Sequence, residues 1–192
     1  MHMPATSELE TEISPDVASL AGDFEAMVQL YRRKVFRFAL ASLRDIDAAE
    51  TVTQDCFLRA YQSRDRFEQR CSLQTWLMQI AVNLIRDHAR NRRLQFWKRA
   101  NRTAQRIDVA AIAIADRGRT PEAQALLQER VAAIWSAADR LPAKQRVVFL
   151  LRFVEEMDLL EIAAATGMKE GTVKTHLFRA LRAVRNRIGE TL

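Results

Sequence analysis

From Asp23 onward, apolar residues recur at three- and four-residue intervals, the period of an amphipathic helix. Phe24, Met27, Val28, Tyr31, Val35 and Phe38 form the first stripe, and Asp23 stands where an N-cap carboxylate belongs. Ala49, Val52, Cys56, Phe57 and Ala60 predict a second helix over residues 46–61. A long third helix over 72–94 has Ser72 as its N-cap and Leu73, Leu77, Ile80, Ala81, Leu84 and Ile85 on its inner side. The stretch between them, 62–71, is short, strongly charged and interrupted only by Phe67, a pattern that predicts an exposed loop. Periodicity lapses over 100–120, where 109–114 alone is apolar. It returns at Pro121, a residue suited to the first turn of a helix. That helix is expected to reach about Ala138 with Ala125, Leu126, Val131, Ile134 and Trp135 inward, and Leu141-Pro142 restarts another through Phe153.

Near the C-terminus the pattern becomes more specific. Asp158-Leu-Leu-Glu161 has the spacing of a capping box, in which each carboxylate satisfies an amide at the other's position. The short helix that starts there carries Leu159, Ile162 and Ala163 and stops at Gly167, where a positive φ is cheap for glycine. A further helix begins near Gly171 and runs to about Arg187, with Val173, Leu177, Ala180, Leu181, Val184 and Ile188 on one stripe. Short helix, glycine turn and second helix are the ingredients of a helix-turn-helix. The outer side of the second helix then presents Thr172, Lys174, Thr175, Phe178, Arg179 and Arg182 to a major groove. Early helix positions reach base edges and later arginines meet phosphates. The alternative is an ordinary helical hairpin with a solvated outer face.

Composition agrees with the pattern. Of 192 residues 48% are apolar and 28% charged, with five glycines and four prolines, so a sheet-rich fold is not expected. The expected fold is all-α: two small helical domains, 23–99 and 121–192, joined by a flexible linker, 100–120, and preceded by an acidic, mobile tail, 1–22. The net charge of +6 is unevenly spread, because residues 1–25 hold six acids and no Lys or Arg, which leaves +12 for the remainder. Between 86 and 106 lie Arg86, Arg90, Arg92, Arg93, Lys98, Arg99, Arg102 and Arg106 against the single acid Asp87. Lys174, Arg179, Arg182, Arg185 and Arg187 make a second basic run. Two such runs on helical segments point to a polyanion.

The long central helix carries a polar face of its own. Gln79, Asn83, Arg86, Arg90 and Arg93 follow one another at intervals of four, three, four and three, combining amides that can read base edges with guanidiniums that grip phosphates or stack on unpaired bases. Trp76 and Trp97 either stack on bases or pack, and their helical spacing favours packing; His88 is read as structural. Cys56 and Cys71 lack metal-ligand or disulfide-framework spacing, and no metal or other cofactor is expected. No nucleophile beside a base, glycine-rich phosphate loop or metal cluster suggests an enzyme, so no catalytic residue is assigned. No apolar run approaches the roughly 18 residues that cross a bilayer, and Glu8, Glu10 and Glu12 stand where a signal peptide would be basic. A cytoplasmic location is expected.

Taken together these stretches resemble the extracytoplasmic-function (ECF) group of bacterial RNA polymerase sigma factors. Three segments carry the likeness: Ala48-Ala-Glu-Thr-Val-Thr-Gln-Asp-Cys-Phe-Leu-Arg-Ala-Tyr61 with Asp65-Arg-Phe67; Ser72-Leu-Gln-Thr-Trp-Leu-Met-Gln-Ile-Ala-Val-Asn-Leu-Ile-Arg-Asp87; and Leu141-Pro-Ala-Lys-Gln-Arg146 followed by Glu161-Ile-Ala163 and Gly171-Thr-Val-Lys-Thr-His-Leu-Phe-Arg-Ala180. The resemblance implies that Gln54, Asp55, Leu58 and Arg59 dock on the clamp helices of the polymerase β′ subunit, with the β subunit as a further contact. It implies that Asn83, with Arg66 and Phe67, captures an unstacked base of the −10 promoter element along the face of Gln79, Arg86, Arg90 and Arg93. It further implies that the helix-turn-helix reads the −35 element, that the linker threads towards the RNA exit path, and that an anti-sigma factor, in some cases membrane-anchored, holds the chain inactive. Two positions depart from the family pattern: Thr51 stands where an acid is common, and Lys169-Glu170 occupies the helix-turn-helix turn. The rival reading is an autonomous regulator whose N-terminal helices bind a ligand or dimerise, but it gives the Asn83 face no task.

Overall fold

A computed structural model describes residues 23–68, 70–96 and 121–189. Among the described residues every regular element is helical: α1 (Phe24–Leu43), α2 (Ile46–Ser63), a 3-10 turn (Arg64–Arg66), α3 (Leu73–Phe96), α4 (Pro121–Asp139), α5 (Ala143–Phe153), α6 (Leu159–Thr166) and α7 (Glu170–Gly189). The acidic segment 1–22 and the linker 100–120 lie outside the described residues, as do Trp97 and the side chains of Arg93, Ala125 and Leu126.

Local chemistry sets the helix starts. Asp23 accepts from the Ala26 amide at 3.1 Å, Asp45 from that of Ala48 at 3.0 Å and Ser72 Oγ from that of Thr75 at 3.1 Å. Each bond satisfies an amide that the first helical turn leaves without a partner. The capping box of α6 closes in both directions: Glu161 N donates to Asp158 Oδ1 at 2.8 Å and Asp158 N to Glu161 Oε2 at 2.9 Å. Gly167 ends α6 at φ 70°. Arg44 does the same for α1 at φ 59°, so α1 and α2 are joined by only Arg44 and Asp45.

α1, α2 and α3 pack as one unit around Phe38, Leu40, Cys56, Leu73, Leu77 and Ala81, all essentially closed to solvent. α4 to α7 pack as a second around Leu150, Leu151, Met157, Ile162 and Val173. Burying a Leu, Ile or Phe side chain contributes about 1.5–3 kcal/mol, and the two sets of residues join into one continuous apolar core. The two units also pack on one another, α3 against α6 and α1 against α5. α3 is therefore buried on two sides, and Thr75, Met78 and Val82 lie inside as well as the inner stripe of Leu73, Leu77, Ala81 and Leu84.

Two details differ from the periodicity. Residues 62–71 are only partly loop, since α2 runs to Ser63 and the 3-10 turn follows. Phe67 stacks on Trp76 with ring centroids 4.7 Å apart, which closes the charged segment down over α3. Among the described side chains of α4 the fully buried ones are Ala137 and Ala138, whereas Val131, Ile134 and Trp135 line an apolar groove of about 610 Å³ with Phe149, Phe153 and Leu181.

Candidate nucleic-acid interface and docking faces

Three polar faces project from this body. On α2, Gln54, Asp55, Leu58 and Arg59 are exposed, Leu58 by 55%. Their neighbours Val52, Thr53, Cys56 and Phe57 are buried, so one side of the helix anchors it and the other is offered outward. Tyr61, one turn beyond Leu58, is also half exposed. It is braced edge-on by Phe24 at 5.1 Å and by the Arg64 guanidinium 4.0 Å from its ring. Thr51 donates to its own helix at Asp47 O, 2.8 Å away, and so offers no charge at the place where the family commonly has an acid.

The second face runs along α3. Gln79, Asn83, Arg86 and Arg90 are all exposed, on the side away from Leu77, Ala81 and Leu84. Gln79 and Asn83 have no side-chain partner among the described residues, which leaves both amides available to a base. Arg90 is paired with Asp87 at 3.1 Å, and Arg86 reaches the Thr166 carbonyl at 3.5 Å. Arg66 is exposed at the end of the 3-10 turn beside half-buried Phe67. Trp76 packs under Phe67, the outcome its spacing favoured.

The third face is the outer side of α7. Val173, Ala180 and Val184 anchor the helix, while Thr172, Lys174, Thr175, Phe178, Arg179 and Arg182 are exposed, Phe178 by 67%. Lys174 Nζ is held by Glu170 at 2.6 Å and the Thr175 hydroxyl donates to Gly171 O at 2.9 Å. Glu170, the first residue of α7, thus holds the lysine over the first turn of the helix.

Sequence reasoning did not bring together the polar residues that meet between the two units: Arg37, Gln74, Arg146, Glu155 and Glu161. Arg37 Nε donates to Glu155 Oε1 at 3.1 Å, and burial of Glu155 pushes its carboxyl above the ordinary range, an effect that Arg37 opposes. Burial likewise pulls the Arg146 guanidinium below its usual value. Among the described residues no group of His, Cys, Asp and Glu is arranged to hold a metal, and no helix is long and apolar enough to cross a membrane.

Two helical units, one with an amide-and-arginine face and one with a helix-turn-helix, define a DNA-contacting protein. Comparison with known proteins narrows the class. Residues 27–95 match Sigma-70 region 2 and residues 132–184 match Sigma-70, region 4. The ECF RNA polymerase sigma factor SigW of Bacillus subtilis is 30% identical over 166 residues, covering 86% of this chain and 88% of that one. SigM of Mycobacterium tuberculosis is 30% identical over 166 residues, covering 85% and 77%. The fold is shared with RpoE of Bartonella quintana, solved in complex with the anti-sigma factor NepR, at TM-score 0.69 and 24% identity over 87% of this chain and 97% of that one. It is also shared with CnrH, solved with the cytosolic domain of CnrY, at TM-score 0.62 and 21% identity over 91% and 95%. The chain belongs to the ECF RNA polymerase sigma factors. It is a non-enzymatic factor for promoter-specific initiation of transcription.

Proposed function

We propose that each exposed face has its own partner. Gln54, Asp55, Leu58 and Arg59 on α2 dock on the β′ clamp helices of core polymerase. Gln79, Asn83, Arg86, Arg90 and Arg93 on α3, with Arg66 and Phe67, take the −10 element. Thr172, Lys174, Thr175, Phe178, Arg179 and Arg182 on α7 take the −35 element. The carrying observation is that Asn83 and Gln79 stand exposed with unpaired amides on a helix otherwise buried on two sides.

Melting then needs no chemical step. Capturing an unstacked base beside Asn83 offsets unpairing, which costs a few kcal/mol. Either DNA reader alone is weak, and polymerase, by holding both, converts the second contact into an intramolecular one. The apolar groove between α4, α5 and α7 suits an apolar segment of the β subunit, the remaining polymerase contact. An anti-sigma factor, soluble or membrane-anchored, restrains the chain, as the complexes of RpoE and CnrH suggest, and the whole cycle runs in the cytoplasm.

Run-off transcription with purified core polymerase tests the assignment. The chain is expected to direct RNA from discrete start sites, and Asn83→Ala to impair open-complex formation more than polymerase binding. Equal losses in both would remove Asn83 from base capture. Tight promoter binding by the isolated chain, unchanged by polymerase, would favour an autonomous regulator.

A further inference from the structure

Residues 1–22 hold four acids, Glu8, Glu10, Glu12 and Asp16, and no Lys or Arg. The next two acids are committed to α1, Asp23 as its cap and Glu25 in its first turn. None of the three faces gives this acidic segment a task. Its charge is the complement of the run 86–106, where eight basic residues stand against Asp87 alone. On the described part of that run Arg90 is paired with Asp87, whereas Arg86 has only the Thr166 carbonyl, 3.5 Å away.

The packing of the helices decides where the segment leaves the body. Phe24 meets Tyr61 and Arg32 pairs with Glu50, so α1 and α2 run antiparallel. Lys34 donates to Gln74 at 2.8 Å and Cys56 to Leu77 O at 3.5 Å, so α3 also runs against α1. Asp23 lies eleven residues before Lys34, about 16 Å along the helix axis. That offset carries the start of α1 past Leu77, to the level of Asn83 and Arg86 on α3. A chain of 22 residues reaches at most about 75 Å, whereas Asn83 and Arg90 are about 10 Å apart along their helix. The basic outer side of α7 is farther, because α6 packs between α7 and α3. Effective concentration falls with the span a tether must cover, so α3 is the favoured surface.

We propose that residues 1–22 are an acidic ligand in cis for the α3 face, their carboxylates occupying Arg86 and Arg90 in the free chain until single-stranded −10 DNA displaces them. The proposal rests on the assignment of that face to the −10 element. Exposed ion pairs are individually weak and screened by salt, but the tether makes these intramolecular. A polyanion held by phosphate contacts alone competes poorly against such a ligand. The correct strand adds a base at Asn83, a contact the carboxylates do not block. The segment therefore sharpens selection at this face.

Fluorescence anisotropy of the full chain tests this with two probes, labelled oligothymidylate and a labelled duplex of mixed sequence. The combined variant Glu8→Gln, Glu10→Gln, Glu12→Gln and Asp16→Asn neutralises the segment and keeps its length. It should bind oligothymidylate about tenfold more tightly than the wild type at low salt, with a gain that shrinks as salt rises. Duplex affinity, ascribed to α7, should change by less than about twofold. Adding Arg86→Ala and Arg90→Ala should cancel the gain. An equal gain on both probes would mean that net charge alone acts, and would overturn the contact. A wild type that sediments as a dimer, beside a monomeric variant, would put the segment on a second copy and overturn it too. If the two arginines matter for oligothymidylate but neutralisation brings no gain, the cis ligand falls and the −10 assignment stands; slower association of that variant with core polymerase would then place the segment on polymerase. If the arginines are irrelevant in both backgrounds, the −10 assignment falls, and the cis ligand with it.

Discussion

Single side chains and single torsions set several properties of this chain. Gly167 adopts φ 70° with nothing near the position of a Cβ, so its requirement is conformational and not steric. Gly167→Ala should therefore lower stability by about 1 kcal/mol in thermal unfolding, and Gly167→Asn by less. An unchanged midpoint for the alanine variant would show that the turn relaxes out of the left-handed region. The cysteines differ for a related local reason. Cys56 is buried, donates to Leu77 O at 3.5 Å and has its thiol pushed up to about 12 by burial, so it stays protonated. Cys71 is half exposed where the two units meet, and burial together with nearby Glu161 raises its thiol. On α7, Lys174→Ala with Arg179→Ala should weaken −35 duplex binding and reduce the slope of log affinity against log salt by about 2, one for each phosphate no longer neutralised. Titrating binding against salt checks this, and a slope equal to the wild type would remove both residues from the DNA interface.

Elements were legible in the sequence where their causes are local. The caps of α1, α3 and α6 involve residues three apart, and each stands where the pattern placed it. The capping box is worth testing on α6, which has only eight residues and so depends strongly on its first turn. Asp158→Ala should cost about 1 kcal/mol in denaturant unfolding, and a loss below a few tenths would mean that packing of Ile162 alone sets the helix. Periodicity was less informative about surroundings. It identified Val131, Ile134 and Trp135 as an apolar stripe of α4 but could not say what covers it, and the structure leaves that stripe as the wall of a groove. Phe67 was hidden for the opposite reason: charged neighbours made its segment read as loop, while its partner Trp76 sits on another element. The exposed faces of α3 and α7 were legible because exposure on a helix follows directly from which residues lie on the opposite side.

At the scale of the whole molecule the sequence showed two helical units but not how they pack on one another, because Arg37 and Glu155 are separated by 118 positions and neither belongs to a local pattern. Their burial makes the packing of the two units depend on pH. The Glu155 carboxyl faces Arg37 and Lys34 from α1, both of which favour its charged form, and lies beside Glu156, which opposes it; burial outweighs them and raises its pKa in the packed form. Where the units part, water restores the ordinary value. A group whose pKa is higher in the packed state binds its proton more readily there, so acid favours packing through this group. Its contribution is complete below the ordinary carboxylate range and is lost as pH rises through the raised value. The fraction of the wild type with its units apart should therefore grow with pH across that window, as read by scattering or by a distance probe between the two units. Glu155→Gln mimics the protonated acid and should flatten this part of the profile while leaving the chain folded. The same pH profile in both proteins would mean that other groups govern the packing.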